Sequence, residues 1–140
     1  MLDCEKFQPF DVLRFPYEFK GDPDRIPKLF VVARNIAEVQ ILRCFKPTSR
    51  TRYYDEEPLR LKGVVEYAAW EVACFSERTL IPTDTYDIPY AYIRACHRKG
   101  EFEYVACLPE GFREKMNAAA AANPEWRKKN RDYFFAWFKG

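Results

Sequence analysis

Hydroxyl and guanidinium groups follow one strand-like segment of the chain at close spacing. The run 39–45 is rich in aliphatic and aromatic residues, and Pro47 then stops the strand because proline has no amide hydrogen to donate. Thr48, Ser49 and Arg50 come directly afterwards. A permanently charged guanidinium can stabilise charge on a phosphate, and a hydroxyl can orient it. The spacing therefore predicts an exposed strand end where two hydroxyls and a guanidinium are available for such chemistry, and the alternative is a solvated hydroxyl turn.

A second group of candidate residues lies at the C-terminal end, where basic and aromatic side chains are interleaved. Arg127, Lys128 and Lys129 follow Trp126, and five aromatic residues occur between positions 133 and 138. Such a mixture can follow a phosphate backbone and stack on bases. The alternative, which we favour, is a terminal amphipathic helix whose aromatic side docks on protein.

Other catalytic chemistries have little support in the sequence. His97 is the only histidine and is expected at the surface, which excludes a two-histidine ribonuclease mechanism. Ser49, Ser76 and Cys44 lack the flanking glycines or nearby base of a nucleophile elbow, and no nucleotide-binding glycine motif is present. The five cysteines contain no CxxC pair, so we expect reduced, mostly buried thiols and no zinc site. We expect no metal and no cofactor.

The elements that would position the phosphate-binding residues are β strands in the first two thirds of the chain. Clusters of Pro, Gly and Asp divide this part into short apolar segments, and we predict strands at residues 10–15, 29–33, 39–45, 63–67 and 71–75. The run 29–33 is apolar on both sides of the pleat, which predicts a central strand covered on both faces. Residues 55–58 are predicted to form a loop.

Helical signals replace strand signals in the last third. We predict a helix over residues 90–99 that ends at Gly100, although a hairpin turning at residues 98–100 is an alternative. Residues 101–108 alternate in polarity and predict a strand. Two further helices are predicted over residues 110–122 and 125–138, the first with a buried face formed by Phe112, Met116, Ala119 and Ala120.

Composition limits the class of protein. The chain has 140 residues, 48% of them hydrophobic, which is enough for one core without disulfides or metal. The net charge is only +2, and the basic excess lies in residues 109–140, with seven Lys/Arg against four Asp/Glu. We expect no signal peptide, and no run approaches the ~20 apolar residues of a membrane span. We expect a cytoplasmic α+β protein, with a small antiparallel β barrel and one short helix in residues 1–108 and a helical extension, residues 109–140, packed on it.

The order of four segments resembles the PemK/MazF family of toxin-fold endoribonucleases. The segments are residues 10–16 (FDVLRFP), 26–32 (IPKLFVV), 47–49 (PTS) and 63–65 (GVV), and together they span roughly residues 8–80. The resemblance implies an SH3-like β barrel of the PemK/MazF/CcdB type. It also implies metal-independent cleavage of RNA through attack of the neighbouring 2′-hydroxyl, a homodimer, and a small antitoxin protein as partner. Thr48 matches one catalytic position of the family, whereas Arg25 lies one residue before the other, where this chain has Ile26.

Three functions remain open at this point. The first is a toxin-type endoribonuclease that cleaves single-stranded RNA with Arg25 and Thr48 as catalytic residues, or with Arg50 in place of Arg25 as the arginine that stabilises the phosphate. Its expected RNA contacts are Ser49, Arg50, Arg52, Arg127, Lys128 and Lys129. The second is a catalytically inactive module of the same fold that serves protein or nucleic-acid interaction. Two departures favour it: Ile26 stands in place of the catalytic arginine, and Ala68 lies where some members of the family have a polar catalytic or RNA-binding residue. The third is an unrelated SH3-like barrel that binds a protein partner through its aromatic residues.

Overall fold

The computed structural model describes residues 2–18, 26–61 and 63–123. The chain divides into two compact units, each built from two segments. The first, which we call the sheet unit, comprises Met1–Phe45 and Thr85–Cys107, and the second, the hairpin unit, comprises Lys46–Asp84 and Leu108–Gly140. The chain leaves the sheet unit for the second time after Cys107, one residue before the expected domain boundary after residue 108. That domain boundary stays a prediction.

The secondary structure is mixed. In chain order the elements are β1 (Asp11–Pro16), β2 (Pro27–Ile36), β3 (Ile41–Phe45), α1 (Arg52–Asp55), α2 (Pro58–Leu61), β4 (Val64–Tyr67), β5 (Thr79–Pro82), β6 (Thr85–Pro89), α3 (Tyr90–Arg98), β7 (Glu103–Cys107) and α4 (Gly111–Ala122), with 3-10 turns at Cys4–Lys6 and Ala37–Val39. The predicted α+β class is therefore confirmed. The predicted helix over residues 125–138 lies outside the described residues.

The sheet unit contains a five-stranded antiparallel sheet in the order β6-β3-β2-β1-β7. β2 is the central strand, and its four consecutive residues 30–33 are all buried. Because neighbouring residues of a strand point to opposite faces, such a run requires cover on both sides of the sheet, as the sequence predicted. β6 and β7 form the two edges, so the described strands do not close into the expected barrel.

One face of this sheet forms a core with α3. The buried residues of that core include Leu13, Phe15 and Phe30 from β1 and β2, and Ile93 and Cys96 from the helix. The rings of Phe15 and Phe30 stack with centroids 4.4 Å apart. Each fully buried apolar side chain of this size stabilises the fold by about 1.5–3 kcal/mol.

Both ends of α3 follow from local sequence. Pro89 is extended and directly precedes the first helical residue. At the other end Gly100 has a φ of 71°, its amide donates to the carbonyl of His97, and the amide of Glu101 donates to that of Cys96. These two bonds form a Schellman motif, which glycine favours because it has no side chain to clash at positive φ. The predicted helix is confirmed and the alternative hairpin at residues 98–100 is wrong.

The hairpin unit is built on the antiparallel pair β4–β5, against which α4 packs. The buried residues of α4 are the four that the sequence placed on its inner face: Phe112, Met116, Ala119 and Ala120. The predicted strand over residues 71–75 is wrong, because this segment turns back on itself. The amide of Trp70 donates to the carbonyl of Phe75, and Trp70 has a φ of 64°.

No helix within the described ranges is long and apolar enough to cross a membrane.

Candidate functional site

The predicted phosphate-binding turn begins where Thr48 pairs with β5. The Thr48 amide donates to the Leu80 carbonyl at 2.8 Å, and the Leu80 amide donates back to the Thr48 carbonyl at 2.9 Å. This bridge lies on the side of β5 opposite β4. Pro47 is buried, while Ser49 and Arg50 are exposed. The backbone of Thr48 is thus fixed by two hydrogen bonds, and the residues after it enter solvent.

The Thr48 side chain organises the turn that follows. Its Oγ1 accepts a hydrogen bond from the Arg50 amide at 3.1 Å. A hydroxyl has one proton to donate besides its acceptor lone pairs, so this bond leaves the Thr48 proton free for another acceptor. The turn therefore combines a fixed hydroxyl donor with the guanidinium of Arg50 two residues later.

The two arginines of this segment differ in their electrostatic environment. Arg52 is almost fully exposed and its Nε lies 2.9 Å from the Glu56 carboxylate, one helical turn later. Arg50 forms no ion pair with any residue in the described ranges. An anion approaching the turn therefore meets a full positive charge at Arg50, whereas the charge of Arg52 is partly neutralised.

Another guanidinium of this unit, that of Arg78, was absent from the sequence-based predictions and binds two carboxylates. Arg78 donates to both carboxylate oxygens of Asp55, at 2.8 and 3.0 Å, and its Nε donates to Glu66 at 2.9 Å. The hydrogen bonds from Arg78 and then from Thr51 hold the pKa of Asp55 below its usual value, and the two carboxylates raise the pKa of Arg78. The carboxylate of Glu66 is therefore engaged in an ion pair.

A pocket of about 290 Å³ lies in the same unit. Its wall includes Tyr53 and Tyr54 from α1, Arg60 from α2, the Thr83–Asp84 segment after β5, and Asn123 at the end of α4. The Asn123 amide donates to the Thr83 hydroxyl at 3.1 Å. Sequence reasoning missed this pocket because its walls come from segments far apart in the chain.

Four predicted site residues lie outside the described residues, namely Arg25, Arg127, Lys128 and Lys129. Of the predicted residues that the structure describes, Thr48, Ser49, Arg50 and Arg52 form one continuous segment between the end of β3 and the first turn of α1. Their catalytic and RNA-binding roles stay predictions.

The cysteines and the histidine form no reactive centre in the described ranges. All five cysteines are free thiols, and Cys4, Cys44 and Cys96 are buried. Burial raises the pKa of Cys44, and burial followed by Asp11 raises that of Cys107, so both thiols resist forming the nucleophilic thiolate. His97 is exposed, as predicted.

Within residues 2–18, 26–61 and 63–123, no three His, Cys, Asp or Glu side chains are grouped so that they could hold a metal ion. A search of protein-family models, of curated proteins and of solved structures finds no match to this chain.

Proposed function

We propose that the chain is a PemK/MazF-like toxin-type protein that cleaves single-stranded RNA, with Thr48 and Arg50 acting on the phosphate and without a metal. The observation that carries this proposal is the turn after β3, in which Thr48 is fixed by its bridge to Leu80 and is followed by an arginine with no described carboxylate partner. The family resemblance supports an SH3-like barrel fold, and the antiparallel sheet of the first unit is compatible with it.

The chemistry requires few protein groups. The 2′-oxygen of a nucleotide bonds to its own 3′-phosphorus, and the bond from phosphorus to the next 5′-oxygen breaks. The 2′-hydroxyl loses its proton to water and the leaving oxygen takes one from water, which yields a 2′,3′-cyclic phosphate and a 5′-hydroxyl. The Arg50 guanidinium stabilises the negative charge that develops on the phosphate, and the Thr48 hydroxyl donates to one of its oxygens.

The proposal is tested with purified full-length protein and a long single-stranded RNA in the presence of a chelator. Loss of one preorganised donor typically lowers a rate about 100-fold to 1,000-fold, so Thr48→Val and Arg50→Ala should reduce cleavage by that factor. Thr48→Ser keeps the hydroxyl and should retain activity. Arg52→Ala is the matched control for Arg50→Ala, because it removes a neighbouring arginine that is already paired with Glu56.

Two further outcomes bear on the proposal. A 2′-deoxy nucleotide at the cleaved position should block the reaction, since the attacking group is then missing. Cleavage by Arg25→Ala shows whether the arginine nearest to the family's catalytic position contributes to the reaction. Absence of cleavage at every protein excess, or equal loss in the Arg50 and Arg52 variants, contradicts the proposed role of the turn.

The partners and location proposed for the chain come from the same resemblance. They are a homodimer in the cytoplasm and a small antitoxin protein. Sedimentation equilibrium measures whether the chain is a homodimer. The antitoxin is tested by expressing the chain in cells, where growth should stop and should recover when the product of the neighbouring gene is also present. A monomer at micromolar concentration, or growth unaffected by expression, contradicts them.

A second candidate function is a catalytically inactive module of the same fold that binds protein or nucleic acid. It is favoured by the charge pairing of the hairpin unit, where Arg52, Arg60 and Arg78 each bind a carboxylate and are poorly available to phosphates. RNA binding without cleavage, lost when residues 127–129 are neutralised together, would support this function over the nuclease.

A further inference from the structure

The pocket of the hairpin unit has an aromatic wall, the Tyr53 ring, on which an arginine of the same pocket lining stacks. The Arg60 guanidinium carbon lies 3.8 Å from the centre of the Tyr53 ring. Arg60 is anchored in turn, because it donates to the Tyr53 carbonyl at 2.7 Å and lies 3.0 Å from the Glu57 carboxylate. A stacked and doubly anchored guanidinium limits the motion of the ring it covers.

The Tyr53 ring nevertheless presents a large surface to solvent. The residue is 60% exposed, and the Tyr54 ring stands perpendicular to it with centroids 5.1 Å apart. Tyrosine rings that are rigid and open to solvent serve as stacking platforms for bases of single-stranded nucleic acid. A buried core role does not explain this arrangement, since Tyr53 is among the most exposed large hydrophobic side chains described.

Asp84 is the carboxylate in the described lining of the pocket. Its carboxylate is exposed and makes no hydrogen bond or ion pair with any residue that the structure describes. An ionised carboxylate only accepts hydrogen bonds, through two oxygens side by side. Guanine carries two adjacent donors on its Watson–Crick edge, N1–H and the N2 amino group. Adenine and cytosine each combine one amino donor with an adjacent ring acceptor, and uracil places its single N–H between two acceptors.

We propose that this pocket binds a guanine base of single-stranded RNA, which stacks on Tyr53 and donates its two Watson–Crick hydrogens to Asp84. The proposal rests on the RNA-binding part of the proposed function, because Tyr53 is the next residue after Arg52 and the pocket wall thus continues the phosphate-binding turn. The volume of about 290 Å³ is close to the lower limit of about 300 Å³ for small-molecule sites, which suits one base with its sugar.

The test measures binding of the full chain to fluorescent 2′-O-methyl RNA hexamers, which cannot be cleaved by 2′-hydroxyl attack. One hexamer contains only uridine, and two others carry a single central guanosine or adenosine. A bidentate base contact typically gives about tenfold or more discrimination, so the guanosine hexamer should bind at least tenfold more tightly than the other two. Tyr53→Ala should weaken binding of all three by removing the platform.

Asp84→Asn keeps the size of the side chain but replaces one acceptor by a donor, so it should reduce the guanosine preference to within twofold. Glu77→Gln is the matched control, since it removes the same charge from an exposed position outside the pocket and should leave the preference unchanged. A guanosine preference that survives in Asp84→Asn, or no preference in the wild type, overturns the proposal.

The two proposals fail in different ways. Guanosine preference without cleavage of ordinary RNA leaves the pocket assignment intact and contradicts the nuclease. Cleavage of ordinary RNA without a guanosine preference supports the nuclease and contradicts the pocket assignment. Unchanged urea unfolding midpoints of the Asp84 and Tyr53 variants exclude misfolding as the cause of a lost preference.

Discussion

Tyr67 carries a hydroxyl group that is buried without a hydrogen-bond partner in the described part of the chain. The residue is 2% exposed in β4, and its oxygen is one of two buried side-chain atoms that lack a partner. A buried polar group without a hydrogen bond costs about 1–3 kcal/mol. Tyr67→Phe removes that group and keeps the ring, so we expect the free energy of unfolding at pH 8 to rise by about 1 kcal/mol.

The same substitution should alter the dependence of stability on pH. Burial, with smaller contributions from Glu71 and Cys74, raises the pKa of Tyr67 to about 12. An unfolded tyrosine has a pKa of about 10. Between these values the unfolded chain has lost the phenol proton while the folded chain retains it, so rising pH favours unfolding. Each unit of separation is worth about 1.4 kcal/mol once the pH lies beyond both pKa values, and the wild type therefore loses about 2 kcal/mol from this residue between pH 10 and pH 12.

Urea unfolding at pH 8, 10 and 11 measures both effects. The stability advantage of Tyr67→Phe should be about 1 kcal/mol at pH 8 and should widen by about 1 kcal/mol at pH 11. Tyr90→Phe is the control at pH 8, because the Tyr90 hydroxyl donates to Asn35 and its removal should destabilise by about 1 kcal/mol. A destabilising Tyr67→Phe at pH 8 would show that the hydroxyl has a partner, and a constant difference across pH would refute the raised pKa.

Two other perturbations have defined outcomes. Gly100→Ala should lower the free energy of unfolding by about 1 kcal/mol, because φ is 71° there although no atom lies within 4 Å of a new Cβ. Gly111→Ala has the same free space without the positive φ and should be neutral in the same urea unfolding series, so equal effects would contradict this reasoning. Arg78→Met should raise the pKa of Asp55, followed by NMR titration of its side chain, since the hydrogen bonds from Arg78 are the main cause that lowers it. The stability that Asp55 gains from Arg78 is present above the unfolded pKa of about 3.9 and is lost as pH falls through the folded pKa, so the difference between wild type and variant should shrink in acid.

The sequence alone predicted those elements whose structure depends on residues within one short segment. The apolar run 29–33 predicted the central strand because burial on both faces leaves no polar position in the pleat. Gly100 predicted the end of α3 because few other residues adopt the conformation that a Schellman motif needs. The inner face of α4 followed from the spacing of Phe112 and Met116 with two alanines.

Elements whose stability depends on distant partners were missed. β6 contains Asp87 and Pro89, which resemble strand breakers in sequence, yet Asp87 lies directly opposite Arg43 in β3 and binds its guanidinium at 2.8 Å. That cross-strand ion pair compensates for a poor strand former. The same reason applies to the candidate site: Arg78 binds Asp55 and Glu66 across 23 and 12 positions of sequence, a separation that no local pattern reveals.

Charge pairing in the hairpin unit narrows the choice of phosphate-binding residues. A guanidinium already bound to a carboxylate must break that ion pair before it can bind a phosphate with its full charge, whereas an unpaired one need not. Among the residues described, the paired guanidinium groups are those of Arg52, Arg60 and Arg78. The unpaired guanidinium is that of Arg50. The sequence placed both Arg50 and Arg52 among the expected RNA contacts and offered only Arg50 of the two as a residue that stabilises the phosphate. The structure distinguishes them by Glu56, and for this reason the comparison of the two alanine variants is the sharpest test of the turn.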